Sequence, residues 1–253
     1  MDGLRLSLVI PAHNEEAGLR QAIAEADAAL AEMCEEYEIL VVDDGSADAT
    51  YERACRAAEE RATVRVLRHE TNFGYGAALR TGFEAARHEL IGFTDADCQF
   101  DLLDLVRMLP LTDDYPIVVG YRMDRQDPWL RLVYSWAYNR IVRLLLGTGV
   151  RDVDCALKVF RSDAIRRLLP ETNGFFVNTE MLARAKKAGL AVTEVGVTHR
   201  PRAAGTSKVS WRDIPKILRV LVPFWWRQEF VMSAEWRVES KDRPRRIRES
   251  AIH

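Results

Sequence analysis

The 253-residue chain has the length of one large α/β domain, and its 48% hydrophobic and 29% charged residues exclude disorder over most of it. A formal net charge of -2 argues against a general nucleic-acid binder. The cysteines at positions 34, 55, 98 and 155 form no Cys-x-x-Cys pair, which supports neither a zinc site nor a dense disulfide framework and suits a reducing compartment.

Strand-like runs alternate with helical patterns through the first half of the chain, as is typical of an α/β protein with a mainly parallel sheet flanked by helices. The predicted strands are residues 6–10, 37–42, 63–67, 90–94 and 116–120. Helical periodicity covers residues 15–35, and a second helix follows the loop at residues 71–74 and extends to about His88.

The alternation breaks down after Gly120, where the longest periodic segment is a predicted amphipathic helix over residues 128–146. Its polar stripe consists of Arg131, Ser135 and Asn139. The apolar positions that we expect to face inward are Leu130, Val133, Ala137, Ile141 and Leu144. A further helix over residues 177–188 and a strand over residues 191–197 follow.

The C-terminal part is predicted as two short appendages. Residues 211–230, apolar and aromatic with basic residues interleaved, form an amphipathic helix. A membrane headgroup interface and a buried C-terminal helix explain that pattern equally well. Residues 239–253 are charge-dense and are predicted to be a disordered tail. Seven cations against one acid between Arg200 and Arg227 indicate an anionic partner at this end.

Signals for membrane insertion or export are absent from the sequence. The first three residues lead directly into a strand-like run, without a basic-then-apolar signal sequence. No uncharged apolar stretch approaches the roughly 18–20 residues needed to cross a bilayer. We therefore expect a cytoplasmic protein that is soluble or peripheral on the cytoplasmic face of a membrane.

Three polar clusters, at residues 11–15, 43–46 and 95–99, each follow a predicted strand and should converge at one edge of the sheet. Asp95, Asp97 and Gln99 would share one face of an extended segment. Three oxygen-bearing side chains suit Mg2+ or Mn2+, which leaves room for substrate phosphates. The alternative for an isolated Asp-x-Asp is a solvated turn.

The cluster at residues 43–46 allows two interpretations: a turn and helix cap, or a carboxylate that binds a base or ribose hydroxyl. Other nucleotide-binding motifs do not fit. A dinucleotide fingerprint begins at Gly74, but Leu79 stands where its third glycine should be. The sequence contains no P-loop motif either.

Four motifs resemble family-2 glycosyltransferases: Pro-Ala-His-Asn-Glu-Glu at 11–16, Val-Val-Asp-Asp-Gly-Ser at 41–46, Asn-Phe-Gly-Tyr-Gly at 72–76 and Asp-Ala-Asp-Cys-Gln at 95–99. Within that family the chain is most similar to polyprenyl-phosphate (dolichol-phosphate) mannose or glucose synthases. The similarity continues through Arg122 and residues 152–160 and 200–208. It implies a nucleotide-diphospho-sugar transferase fold of GT-A type for residues 1–210.

The resemblance also implies roles for single residues. The donor is held by Pro11, His13, Glu15, Val42, Asp44, Asp95, Ala96 and Asp97. The divalent cation is ligated by Asp97 and Gln99. Phosphate and acceptor contacts come from Arg122, Arg131, Ser135, Arg202 and Lys208, and the catalytic residues are Asp97, Asp152 and Arg122. The chain departs from the family pattern at His13, where Tyr is common, at Ala156, where Gly is frequent, and at Asn178, where Asp is usual.

The basic residues of the second half bear on the nature of the acceptor. A sugar hydroxyl needs a general base, whereas a phosphate monoester, with a second pKa near about 6, is already an anion at neutral pH. It needs cations to hold it, arginine above all. We therefore predict inverting, metal-dependent transfer of a hexose from a GDP-mannose- or UDP-glucose-type donor to a polyprenyl phosphate.

Two alternatives are a transferase of the same fold acting on a saccharide or small-molecule hydroxyl, and a non-catalytic protein that binds nucleotide sugars. The sequence leaves the oligomeric state open.

Overall fold

The computed structural model describes residues 3–123 and 129–201 and the single positions 223 and 226; for residues 129–134 it describes the backbone alone. The chain divides into two compact units, Met1–Lys208 and Val209–His253, and the fold below is that of the first. Arg202, Lys208, the side chain of Arg131 and the predicted tail lie outside the described residues, as does most of the predicted helix over residues 211–230.

The core of the first unit is one seven-stranded sheet. Its strands are β1 (Arg5–Ala12), β2 (Glu36–Asp43), β3 (Val64–Arg68), β4 (Leu90–Phe93), β5 (Ile117–Met123), β6 (Lys158–Arg161) and β7 (Val192–Thr198). They are arranged in the order β3-β2-β1-β4-β6-β5-β7. β6 runs antiparallel to both of its neighbours, and the other strand pairs are parallel. The predicted α/β architecture with a mainly parallel sheet is therefore confirmed.

Helices flank the sheet. They are α1 (Leu19–Met33), α2 (Thr50–Glu60), α3 (Tyr75–Ala85), α4 (Leu105–Met108), α5 (Trp129–Leu146), α6 (Ser162–Arg167) and α7 (Val177–Lys187). None of the helices that the structure describes is long and apolar enough to span a bilayer. Helix α2 is not among the predicted elements, because it buries only Thr50, Ala54 and Ala57 and so has a weak apolar stripe. Strand β6 and helix α6 are not among them either, because they are only four and six residues long.

The central strands are buried on both faces, which explains their continuous apolar sequences. In β1, Leu8, Val9 and Ile10 have no solvent exposure. Phe83, Phe93 and Phe160 pack together beside them, with ring centroids 5.9 to 6.4 Å apart. Burial of each such side chain stabilises the fold by about 1.5–3 kcal/mol.

The order of the strands determines where a ligand can bind. From β1 the chain moves outward to β2 and β3, and then returns to the opposite side of β1 as β4. Such a reversal opens a crevice beyond the carboxyl ends of the strands. The loops that follow β1, β2 and β4 carry the three polar clusters of the sequence, so the topology brings them to this crevice.

The orientation predicted for the helix over residues 128–146 is wrong in its C-terminal half. Ile141 and Leu144, expected to face inward, are 37% and 72% exposed, whereas Asn139 from the polar stripe is buried. The reason is a hydrogen bond, in which the Val153 amide donates to the Asn139 side chain (3.0 Å). Asn139 of the polar stripe thus faces the protein, because buried backbone groups need partners.

Close packing of α3 against β1 provides a test of the fold. A Cβ atom on Gly82 would lie 2.3 Å from Cγ1 of the buried Val9, whose branched side chain has little freedom to move. We expect Gly82→Ala to lower the free energy of unfolding by about 1–3 kcal/mol in chemical denaturation. Gly174→Ala is the matched control, since an added Cβ there meets nothing within 4 Å. Equal stability of the two variants would contradict the packing described.

Candidate active site

The loops after β1 and β2 are joined by hydrogen bonds across the crevice. The Asn14 amide donates to Ser46 Oγ (3.0 Å), and the Ala47 amide donates to Asn14 Oδ1 (2.9 Å). Asn14 has a positive φ of 52°, which asparagine tolerates better than most residues. The expected convergence of the first two polar clusters is present.

His13, Pro11 and Val42 are three of the residues predicted to hold the donor. The Nδ1 atom of His13 donates to the Asp44 carbonyl (2.9 Å), and Asn14 Nδ2 donates to Nε2 (3.2 Å). Pro11 and Val42 are paired in adjacent strands and buried. Any contact of Val42 with a donor would therefore be apolar or through its backbone.

Asp44 anchors the loop that precedes α3. Its carboxylate is 3% exposed and accepts hydrogen bonds from the amides of Phe73 (2.9 Å) and Gly74 (2.8 Å) and from His69 Nδ1 (2.7 Å). Gly74 has a φ of 102°, a backbone conformation that glycine adopts readily. A carboxylate has about four lone-pair sites, so a donor hydroxyl or base could still bind. The donor-binding role of Asp44 stays a prediction.

Tyr75 connects this loop to the third cluster. Its hydroxyl donates to Asp95 Oδ1 (2.8 Å), and its ring stacks on Phe175 with centroids 5.4 Å apart. Burial, reinforced by the Asp95 charge, raises the pKa of Tyr75 well above its usual value. The hydroxyl therefore remains a hydrogen-bond donor that orients Asp95.

The segment from Asp95 to Gln99 is not extended, so the argument for three side chains on one face is wrong. The backbone turns at Ala96 and Asp97, and Cys98 adopts a positive φ of 56°. Two bonds hold the turn: the Gln99 amide donates to Asp97 Oδ1 (3.2 Å), and the Arg200 amide donates to the Gln99 carbonyl (2.7 Å). Burial raises the pKa of the Cys98 thiol to about 11, so the free thiol is protonated at neutral pH.

The turn nevertheless suits a cation that takes part of its ligands from a substrate. In the part of the chain that the structure describes, no three His, Cys, Asp or Glu side chains are grouped to hold a metal ion. Mg2+ and similar ions are commonly bound by one or two carboxylates together with substrate phosphates. Asp97 and Gln99 offer hard oxygen atoms of the required kind, and the assignment of these two ligands stays a prediction.

Arg122 and Asp152, two predicted catalytic residues, form a buried ion pair. Arg122 Nε and Nη2 donate to Asp152 Oδ2 (2.6 Å) and Oδ1 (2.8 Å). Burial opposes the charge on Arg122, but the bonds from Asp152 outweigh it and raise the pKa of the guanidinium. A guanidinium has five N–H groups, and among the described residues two of them bond to Asp152, so Arg122 could also donate to a ligand. The two residues therefore act as a unit.

Of the two acceptor residues predicted on α5, the structure describes the side chain of Ser135 but not that of Arg131. Ser135 lies one turn before Asn139, and Asn139 Nδ2 donates to its carbonyl (2.9 Å). Asn139 in turn contacts the loop that carries Asp152, through Val153. Acceptor contacts by Arg131, Arg202 and Lys208 stay predictions, because those side chains are outside the described residues.

The sequence analysis assigned no role to Glu180, a buried residue that supports the site from α7. Its carboxylate accepts from the amides of Glu171 and Thr172, both at 2.9 Å, and forms an ion pair with Arg184 (2.8 Å). The loop held in this way meets the start of α3, where the Gly76 amide donates to the Asn173 carbonyl (2.7 Å). An acid directly before the apolar Met181 and Leu182 is the signal that could have identified it.

Comparisons with known proteins identify the chain's relatives. The family model described as glycosyl transferase family 2 matches residues 7–169. The dodecaprenyl-phosphate galacturonate synthase of Rhizobium johnstonii is 32% identical over 88% of this chain and 66% of its own length. Glycosyltransferase AglD of Haloferax volcanii is 34% identical over 89% of this chain and 38% of its own. An undecaprenyl-phosphate 4-deoxy-4-formamido-L-arabinose transferase of Enterobacter is 32% identical over 86% of this chain and 66% of its own length. The chain thus spans just under two thirds, or less, of these relatives.

Solved structures share the fold. Glucosyl-3-phosphoglycerate synthase of Mycobacterium tuberculosis, in complex with Mn2+, UDP and glucosyl-3-phosphoglycerate, superposes with a TM-score of 0.69. The match covers 88% of this chain and 79% of that chain at 20% sequence identity. The predicted GT-A fold is confirmed by this similarity and by the family match.

The bonds to Asp44 can be tested by a nearly isosteric change. In Asp44→Asn an amide group replaces one of the acceptor oxygens and faces a backbone N–H. We expect the free energy of unfolding to fall by about 1–3 kcal/mol in urea denaturation. Asp163→Asn serves as control, because Asp163 pairs with Arg161 at the exposed surface. A stability of Asp44→Asn equal to that of the control would refute the anchoring role.

Proposed function

Because the chain belongs to glycosyl transferase family 2, we propose that it transfers a hexose from a nucleotide-diphosphate sugar to a polyprenyl phosphate with inversion of configuration. The Arg122–Asp152 pair is the observation that carries the proposal. A hydroxyl acceptor needs a general base, whereas the Asp152 carboxylate forms an ion pair that holds Arg122 in place, and a guanidinium does not act as a base. A phosphate acceptor needs no base and would use the remaining guanidinium N–H groups.

The names of the curated relatives agree with this acceptor. Two of them are a dodecaprenyl-phosphate and an undecaprenyl-phosphate sugar transferase by description. The chain covers only part of their length, so their activities support the proposal by analogy. Transfer to a soluble hydroxyl compound is the alternative outcome.

The donor is proposed to lie between the loops after β1, β2 and β4. His13 and Asp44 would contact the nucleoside, and the diphosphate would reach the turn at Asp97. A solved structure of the same fold contains Mn2+ and UDP, which supports a divalent cation and a nucleotide donor of UDP-glucose or GDP-mannose type. When bound, the cation would neutralise charge on the departing diphosphate.

The reaction is proposed as a single displacement. An oxygen of the acceptor phosphate forms a bond to the anomeric carbon while the bond from that carbon to the diphosphate breaks. The acceptor oxygen is already ionised near neutral pH, so no proton has to be moved. Arg122 would bind and orient the acceptor phosphate, and Asp152 would hold Arg122 in position.

Removal of one predicted metal ligand tests the donor side. We expect Asp97→Asn to lower kcat for sugar transfer by at least about 100-fold, since it removes an ionised ligand. The wild-type protein should lose activity with a chelator and regain it with Mn2+ or Mg2+. Asp163→Asn should retain wild-type activity. Full activity of Asp97→Asn in the presence of chelator would exclude the metal assignment.

We further propose that the protein reaches its acceptor at a membrane surface, with α5 as one contact. Trp136 and Leu144 are 66% and 72% exposed and lie two turns apart on this helix, with Arg140 between them. Tryptophan beside arginine suits the headgroup region of a bilayer. Residues 211–230 are a second candidate for this contact and lie largely outside the described residues.

Vesicle binding tests the membrane contact. We expect the double variant Trp136→Ala, Leu144→Ala to bind anionic phospholipid vesicles at least about 10-fold more weakly, since it loses apolar area that the bilayer would bury. Leu103→Ala is the control, because Leu103 is an exposed apolar residue on a different element. An equal loss in both proteins, or no loss in the double variant, would refute a specific role of α5.

A further inference from the structure

Lys158 is a charged residue in the middle of the core. It lies on β6 between β4 and β5, and it has no solvent exposure. Its neighbours in sequence, Leu157 and Val159, are also fully buried. A buried ammonium without partners would strongly destabilise the fold, because the charge loses its hydration. The contacts of its side chain therefore need an explanation.

The ammonium group makes as many hydrogen bonds as it has N–H groups. Nζ donates to the carbonyls of Val153 (3.0 Å) and Cys155 and to Asn178 Oδ1 (2.9 Å). It also lies 5.3 Å from the centre of the Phe93 ring. A neutral amine has only two N–H groups for these three oxygens. The geometry thus fits the charged form, held by three neutral oxygens.

Two of these bonds fix the segment that carries Asp152, residues 152–155. Val153 is held from both sides: its carbonyl accepts from Lys158, and its amide donates to Asn139 on α5. The third bond ties the same ammonium to Asn178 on α7. The segment is therefore fixed against two helices and the central sheet.

The segment in turn determines the position of Arg122. The Asp152 carboxylate engages Arg122 through two parallel bonds, and such a fork tolerates little change in direction. A shift of the Asp152 backbone would move the guanidinium that is proposed to bind the acceptor phosphate. Among the residues that the structure describes, no hydrogen bond connects Lys158 to the loops around His13 and Asp44.

From these contacts we infer that Lys158 is a positioning residue for the acceptor half of the site: it holds residues 152–155 so that Asp152 can orient Arg122. The inference rests on the proposed function and extends it to a residue that touches neither substrate. A purely space-filling role does not explain the charge, because an apolar side chain of similar size in a core costs little or nothing.

The test uses Lys158→Met in the full-length protein, which keeps the volume and removes the charge and its donors. We expect kcat for transfer to a polyprenyl phosphate to fall by at least about 10-fold, with a raised KM for the acceptor. Affinity for UDP or GDP with Mn2+, measured by calorimetry, should stay within about 2-fold, because the hydrogen bonds of Lys158 lead to residues 153, 155 and 178 and not to the loops around His13 and Asp44. Hydrogen exchange of residues 150–157 should become faster.

Two further variants make the test specific. Asn178→Leu removes one of the three bonds and should have a smaller effect of the same kind; it decides the question if Lys158→Met does not fold. Glu38→Gln is the matched control, since Glu38 is a buried charged residue that bonds to Ser7 and Arg65. This control should lose stability but keep the acceptor KM.

Three results would overturn the inference. The first is an acceptor KM and a kcat within about 2-fold of wild type in folded Lys158→Met, and the second is a loss of nucleotide affinity in that variant as large as its loss of acceptor affinity. The third is the same kinetic defect in Glu38→Gln. If the wild-type protein does not use polyprenyl phosphate, the proposed function fails. The hydrogen-exchange comparison then still decides whether Lys158 holds residues 152–155.

Discussion

The carboxylate of Asp44, buried at the end of β2, is the interaction on which the donor side of the site depends. Its bonds to two consecutive amides and to His69 fix the loop that begins α3. That loop positions Tyr75, which donates to Asp95 at the end of β4. The end of one strand is therefore connected to the end of another through a side chain and a short loop, and the crevice at the switch point is shaped before any ligand binds.

The part of the site proposed to bind the acceptor is organised around charged side chains. Arg122 and Asp152 satisfy each other in a buried position, and Lys158 holds the backbone beside them. Buried ions are costly unless they are fully bonded, so each of these groups restricts the others. Such an arrangement suits an acceptor that arrives as an anion, because the positive groups are oriented in advance and no proton has to be removed.

The two faces of α5 have different tasks. One face contributes Asn139 to the backbone of the Asp152 segment, and the other exposes Trp136 and Leu144. An amphipathic pattern alone does not say which face is turned toward solvent. The usual assumption, that the apolar face points inward, fails here because a buried backbone amide needs a polar partner. The apolar side chains that remain exposed, Trp136 and Leu144, are those proposed to contact a membrane surface.

The fold class, the apolar strands and the three polar clusters at the edge of the sheet could be predicted from the sequence, because hydrophobic periodicity and apolar runs are local properties of the chain. The turn at Asp97, the orientation of α5 and the bond networks of Glu180 and Lys158 could not, because they arise from tertiary contacts. These features depend on partners distant in the chain: Lys158 bonds to Asn178, and Asp44 to Gly74. A buried polar group must find a partner in space, and spacing along a single sequence does not specify which partner that is.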